Sequence, residues 1–359
     1  FRSIRQIAQS SGDCSIATIV ETANKKVGSP AAPYIANIKT NKRTANNIRK
    51  RARNLFGGMR TNPTSIEEIR TSELKEVKVE NESFLLFDSG QDGGSQRMII
   101  FGLDRSTHYL QRSKHWYIDG TFRVVDSSIF YQLVTIHGIK ESVSIPLVYC
   151  LLPSKCEKMY ASLFTELKRI VKRLPERITT DFEAGLLAAL RKSFPAIYVS
   201  GCYTHFRSAI LTNIRHRHGK EYANNDDNLC WNVRRLCSLP FVPLSKVVTV
   251  HRLLIKDFGR SFCTKYEDFL SYFSETWIGN SRLSPRFDRA LWNCYDQLTS
   301  SKTVPITNNA LEGWHNGLNK KVSASNVRFW SLVDYLVADQ ASNNMSGSVE
   351  SAMDLENRD

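Results

Sequence analysis

The chain has 359 residues, 42% of them hydrophobic and 23% charged. That globular composition excludes disorder along the whole length and leaves ample chain to bury a core without disulfide or metal staples. Its net charge is +14, with twelve Lys and Arg against two acidic residues in 1–60, an acidic balance in 61–100, and a surplus of ten positive charges spread over 101–300. At roughly 150 residues per domain, the length suggests about two domains or one domain carrying a large insertion. No apolar run approaches the ~18–20 residues that cross a bilayer, so no membrane segment is expected. The opening from Phe1 is polar and basic and reads as no signal peptide; the missing initiator Met reads as a fragment. A basic arm on a mildly basic body is the footprint of a protein that meets phosphate backbones, although a solvated basic face or a partner-binding surface has the same signature. The eight cysteines include no CxxC pair, and several sit in apolar surroundings, as Cys150 does in VYCLLP. They read as free thiols in a reducing, intracellular compartment.

In chain order, 1–30 is weakly patterned, with a loop at KVGSPAAP. Residues 35–56 have helix-forming composition and basic clusters at KTNKR and RKRAR. Lys42, Arg43, Arg49, Lys50, Arg51 and Arg53 are therefore candidate DNA contacts, with a nuclear-import patch or a charged surface helix as alternatives. GGMRTNP breaks the pattern, a short capped helix is expected at 65–73, and strands are expected at 84–87 and 98–101 around the turn-rich SGQDGGS. From residue 114 the pattern sharpens into strands at 115–118, 130–139 and 144–152. A helix at 157–174 follows, with Met159, Leu163, Leu167, Ile170 and Val171 spaced by three and four, and Pro175 stops it. Strand 177–180, helix 184–193, strand 196–200 and helix 204–217 complete the order β-β-β-α-β-α-β-α. That order is the one expected of an α/β, ribonuclease-H-like mixed sheet, though other α/β folds share parts of it.

Residues 221–300 are rich in aromatics and mixed charge, with helical segments expected at 229–236, 244–258, 265–276 and 288–298. They read as a mainly helical insertion. Helices are also expected at 308–321 and 326–342. The chain thus divides into a basic N-terminal region (1–105), a first core part (106–220), the insertion (221–300), C-terminal core helices (301–342) and a flexible acidic tail (343–359).

Three carboxylates stand where this order would bring them together. Asp119 ends the first core strand in WYIDGTF, Asp181 ends the fourth in RITTDFEAG, and Glu312 opens a late helix in TNNALEGWHN. Mg²⁺ and Mn²⁺ are hard cations that take oxygen ligands, and two such ions about 4 Å apart can drive in-line phosphoryl displacement. Acidic residues are common, and gaps of 62 and 131 residues carry little weight alone. Turn and cap roles for the aspartates and a helix N-terminal role for Glu312 stay open at this point.

The flanking motifs add a resemblance. HWYIDGTFRVV, FYQLVTIHG, IPLVYCLLPSKCEKMY, ITTDFEAGLLAALRKSFP, GCYTHF, LWNCYDQL and TNNALEGWHN occur in order, and with weaker flanks the likeness covers about residues 40–342. Together they resemble the transposase domain of Mutator-like elements, particularly the animal forms often linked to FLYWCH-type zinc fingers. The resemblance implies a DDE transposase of ribonuclease-H-like fold, with a helical insertion before the helix of the last catalytic acid. Asp119, Asp181 and Glu312 match its three acidic positions as catalytic residues and ligands of two Mg²⁺ or Mn²⁺ ions. It further implies metal-dependent DNA cleavage and strand transfer in the nucleus, on double-stranded DNA at element terminal inverted repeats and at target sites. A homo-oligomer is the usual form. A catalytically silent, host-recruited DNA-binding relic is the alternative, and a non-transposing nuclease of the same fold is a third.

Cys202 and His205 form a CxxH motif shared by such transposases. Zinc there, with His216 and His218 or Cys230 and Cys237 as further ligands, is a competing reading. It is weakened by a spacing unlike a zinc finger and by a helix expected to carry His205 and the later histidines onto different faces. Asn308 or Asn309 is expected to cap the Glu312 helix, and His315, three residues on, shares its face. Arg207, Arg215 and Arg217, the last two within TNIRHRHGK, are candidate DNA contacts. Glu183 is expected to cap or solvate the helix after Asp181, and Asp126 to sit in a turn.

Overall fold

The computed structural model of the chain describes residues 61–122, 124–140, 143–223, 226–280, 282–299, 314, 318 and 327–345. The expected basic helix at 35–56, most of the helix expected at 308–321 and the tail beyond 345 lie outside the described residues. A short helix α1 (Thr71–Lys75) leads to a small ribbon of β1 (Lys78–Val79) and β2 (Glu82–Ser83). The main sheet contains β3 (Leu85–Asp88), β4 (Ile99–Gly102), β5 (His115–Thr121), β6 (Gln132–Lys140), β7 (Val143–Leu152), β8 (Arg177–Thr180) and β9 (Tyr198–Gly201). Its spatial order is β3-β4-β7-β6-β5-β8-β9. β5, β6 and β7 form an antiparallel meander, whereas β8 joins β5 in parallel and β9 joins β8 in parallel. Parallel neighbours need crossovers, supplied here by α3 (Glu157–Ile170) and α4 (Ala184–Ser193). This mixed sheet with flanking helices is compatible with a ribonuclease-H-like fold.

The sheet is covered on both faces, which is why β7 reads as a nearly continuous apolar run. Side chains alternate between faces along a strand. Trp116, Ile118, Val134, Ile136, Val148 and Cys150 pack with α3, α4 and α2 (Asp104–Arg112) into one core. Leu133, Tyr149 and Leu151 on the opposite face join Phe84, Phe101 and α11 (Phe329–Met345) in another. Each fully buried side chain of this size contributes about 1.5–3 kcal/mol. Pro146 has no N–H to give a ladder, and it lies where the β6–β7 register slips between Ile136 and His137, the kind of irregularity that tolerates proline inside a sheet.

Beyond β9 the chain is helical: α5 (Tyr203–Ala223), α6 (Asp227–Cys237), α7 (Val247–Lys265), α8 (Glu267–Phe273), α9 (Arg289–Trp292) and α10 (Tyr295–Thr299). A third core forms there, with Phe206 stacked on Trp292 and edge-on to Trp277. Among the described residues no helix is long and apolar enough to cross a membrane.

The helix expected at 157–174 ends already at Ile170, short of Pro175, and two further helices differ for a reason the structure shows. The helix expected at 65–73 begins only at Thr71, because the buried Arg97 guanidinium donates to the carbonyls of Ile66 (3.1 Å) and Ile69 (2.6 Å), which would otherwise accept helical bonds. The helix expected at 288–298 breaks at Asn293. Its side chain donates to the Val242 carbonyl and accepts from Tyr295 N–H, while Cys294 N–H is taken by the Pro240 carbonyl. Both breaks come from partners distant in sequence.

Candidate active site at the ends of two parallel strands

Parallel pairing of β5 with β8 sets Ile118 opposite Thr180. The next residue on each strand is an aspartate, so Asp119 and Asp181 emerge side by side at the carboxyl end of the parallel pair, where α/β sheets gather functional groups. Asp119 still lies within the sheet, paired with Thr135 on β6 and only 4% exposed; Gly120 N–H donates to its Oδ1 at 2.9 Å. Asp181 stands just past β8, where Glu183 N–H donates to Oδ1 at 3.2 Å. Burial, reinforced by the Asp119 charge, pushes the Asp181 carboxyl up to about 6, with His205 pulling the other way. His205 occupies the first turn of α5. Burial disfavours its cation, but the hydrogen bond with Cys202 and the charges of Asp119 and Asp181 outweigh burial and raise it to about 9. At neutral pH the Asp181 carboxylate therefore meets the His205 imidazolium beside Asp119.

Phe182 fixes the turn that presents Asp181. Its ring lies across Gly201, where a Cβ would come within 2.3 Å of the ring, so that position requires glycine. The same ring meets Trp277 and Phe287 edge-on at 4.9 and 5.1 Å. Cys202 N–H donates to the Thr180 carbonyl, so the start of α5 is tied to β8 and His205 is aimed at the aspartates. Glu183 does not cap α4 with its side chain. It accepts from Tyr160 Oη at 2.7 Å, and Tyr160 accepts in turn from Gln132 Nε2 at 2.7 Å. Burial raises the Glu183 carboxyl, opposed by Tyr160 and by the Lys155 charge.

A cleft of about 690 Å³ runs from Phe122 and Lys155 past Asp181 and Glu183, then along α5 to Arg217 and Tyr272. Its α5 wall is His205, Ser208, Ala209, Thr212, Asn213, His216 and Arg217, the three-and-four spacing of a single helix face. The expectation that His205 and the later histidines fall on different faces is thus corrected for His216. Eleven residues make three turns, so the two histidines share a face but stand about 16 Å apart along the axis, too far for one ion. His218 follows a kink in the backbone and bonds Asp268 at 2.8 Å. Among the described residues no three His, Cys, Asp or Glu side chains form a group that could hold a metal ion.

Residues 115–209 match the family model of the MULE transposase domain. This segment is similar to the MULE transposase domain. No curated protein matches the chain. A MULE domain implies a protein that works on DNA and belongs to a family that is generally enzymatic. The match contains both aspartates, the Cys202–His205 pair and the first turns of α5.

Around the MULE domain, the structure sorts the expected DNA contacts. Arg217 lines the cleft but is engaged with Asp268 (3.1 Å) and Asn213 (3.0 Å). Arg207 and Arg215 are exposed and do not line the cleft; Arg215 lies over the Tyr222 ring. Asp126 accepts from Ser128 in a turn, as expected. Glu312, Asn308, Asn309 and His315 lie outside the described residues, as do Lys42, Arg43, Arg49, Lys50, Arg51 and Arg53. Trp314 is described. Its indole donates to Asp339 Oδ2 at 2.8 Å, and its ring meets His137 edge-on at 5.4 Å. Sequence reasoning missed Lys155, Phe122 and Tyr160 as neighbours of the site. The first two carried no pattern signal, and Tyr160 reads as core on the apolar face of α3.

Proposed function

We propose that the chain is a DDE-type transposase of ribonuclease-H-like fold that cleaves DNA phosphodiesters at element ends and joins the freed 3′-hydroxyl to target DNA. The observation that carries this reading is the side-by-side emergence of Asp119 and Asp181 from β5 and β8 inside a MULE domain. Two acidic side chains emerging together, with the Asp119 charge helping to raise the Asp181 carboxyl, offer hard oxygen donors to one spot, the donor chemistry Mg²⁺ and Mn²⁺ take. Asp119 and Asp181 would hold such ions, with Glu312 completing the set. When bound, the ions would polarise the scissile phosphate and ready a water or 3′-hydroxyl for in-line attack.

The chain's own residues do the positioning. Asp119 is held rigid within the sheet by strand pairing and by Gly120 N–H, and Asp181 is oriented by Glu183 N–H. His205 sets a positive charge against the pair. The strand order β7-β6-β5-β8-β9, with its antiparallel meander and parallel additions, supports the fold assignment.

The test is cleavage and strand transfer on oligonucleotides bearing element ends with Mg²⁺ or Mn²⁺. Asp119→Asn or Asp181→Asn should lower the rate by about 10³-fold or more, since each removes several kcal/mol of charge stabilisation. DNA affinity, read by anisotropy, should hold or rise. Unchanged cleavage in either variant would sink the assignment.

A further inference from the structure

We propose that the mouth of the cleft is a stacking platform for an unpaired nucleobase, so that the DNA strand reaching Asp119 and Asp181 arrives single-stranded. The proposal rests on the DNA-processing reading of the site and specifies the form of its substrate.

Phe122 follows Asp119 by three residues and is 42% exposed; Tyr131, immediately before β6, is 43% exposed. Their rings meet edge-on at 5.4 Å. The Lys155 ammonium lies 5.7 Å from one ring centroid and 5.6 Å from the other. Two half-exposed aromatic rings beside a cation leave apolar surface uncovered at the Phe122 end of the cleft. A nucleobase has an apolar π-face that covers such rings and a phosphate that meets such a cation, and the combination is how single strands are held irrespective of sequence.

The platform is anchored rather than loose. Tyr131 N–H donates to the Leu152 carbonyl at 2.9 Å. The Lys155 carbonyl sits so close to the start of α4 that a Cβ on Gly185 would come within 2.6 Å of it. Phe122 and Lys155 line the same cleft as Asp181. Beyond Asp181 the cleft continues to Tyr272, which offers a further ring to the strand.

The experiment uses the full chain in EDTA, where cleavage is silent, with two probes. One is a blunt duplex; the other is the same duplex with a short 3′ overhang carrying 2-aminopurine at its first unpaired position. The wild-type chain should prefer the overhang and quench the 2-aminopurine on binding. The double variant Phe122→Ala/Tyr131→Ala should lose the quenching and bind the overhang about tenfold or more weakly, down to the level of the blunt duplex. Phe122→Trp should keep both signals, and an unchanged circular dichroism spectrum shows that each variant folds. Retained preference and quenching in the double variant would overturn the platform. So would a wild-type chain that binds both probes equally, and in that case the DNA-processing reading still stands. A chain that binds neither probe would bring down that reading together with the platform.

Discussion

Two places in the molecule keep charge away from bulk water, and they are built on opposite rules. At the β3–β4 edge, the fully buried Arg97 grips Asp88 through Nε at 2.9 Å and Nη2 at 2.7 Å, and its remaining donors reach the Ile66 and Ile69 carbonyls and Thr71. The Thr71 hydroxyl and Gly90 N–H donate the remaining bonds to the Asp88 carboxylate, at 2.6 and 3.0 Å. Burial alone would raise the Asp88 carboxyl, but these partners outweigh it and hold the group below its ordinary range. At the ends of β5 and β8 two carboxylates are placed together instead, and one of them is driven up to about 6. Where a buried charge finds its whole complement within the chain, it is architecture. Where like charges are instead brought together at a strand end, the placement is the kind that functional sites use.

The widest separation should come from activity against stability. Asp119→Asn and Asp181→Asn should abolish most cleavage, as argued above, without lowering the melting temperature. Arg97→Ala should instead cost about 3–5 kcal/mol in chemical denaturation, because it strands the Asp88 charge in the interior. Loss of stability from Asp181→Asn equal to that from Arg97→Ala would erase the contrast.

Titration sharpens it further. The native Asp181 carboxyl, at about 6, holds its proton more tightly than an unfolded one at about 3.9. Its charge therefore begins to destabilise the fold as pH climbs from about 4, and the full cost is reached above 6. Asp181→Asn should accordingly stabilise the metal-free protein at pH 7, on the order of 1–2 kcal/mol allowing for solvent screening, and give no gain at pH 4. His205 runs the other way. Its native value of about 9 exceeds the unfolded ~6.5, so its contribution is complete below pH 6.5 and fades as pH rises through 9. His205→Gln in EDTA should cost on the order of 1 kcal/mol at pH 6, the smallest of these effects, and should cost nothing above pH 9.5.

Much of this was readable from residue order. The runs that became β5, β6 and β7 are dense in β-branched and aromatic residues, and Met159, Leu163 and Leu167 show the apolar face of α3 directly. Each aspartate could be seen to close a strand-like run, and the motifs around them carried the resemblance that the family model bears out over 115–209. What could not be read depends on partners far along the chain. Nothing in 65–73 announces that Arg97, some thirty residues on, will take its carbonyls, and nothing in 288–298 shows that Val242 and Pro240 will break a helix at Asn293. Glu183 looked like a cap because its partner Tyr160 lies on another helix. The shared face of His205 and His216 was a matter of counting turns along α5.

The position of Phe182 has a mechanical consequence. One peptide bond separates it from Asp181, yet its ring is wedged among Trp277 and Phe287 in the helical region. The helical region thus acts as the backstop of the strand end: its aromatic packing fixes the one residue next to Asp181, and the seat of that carboxyl is set from outside the sheet.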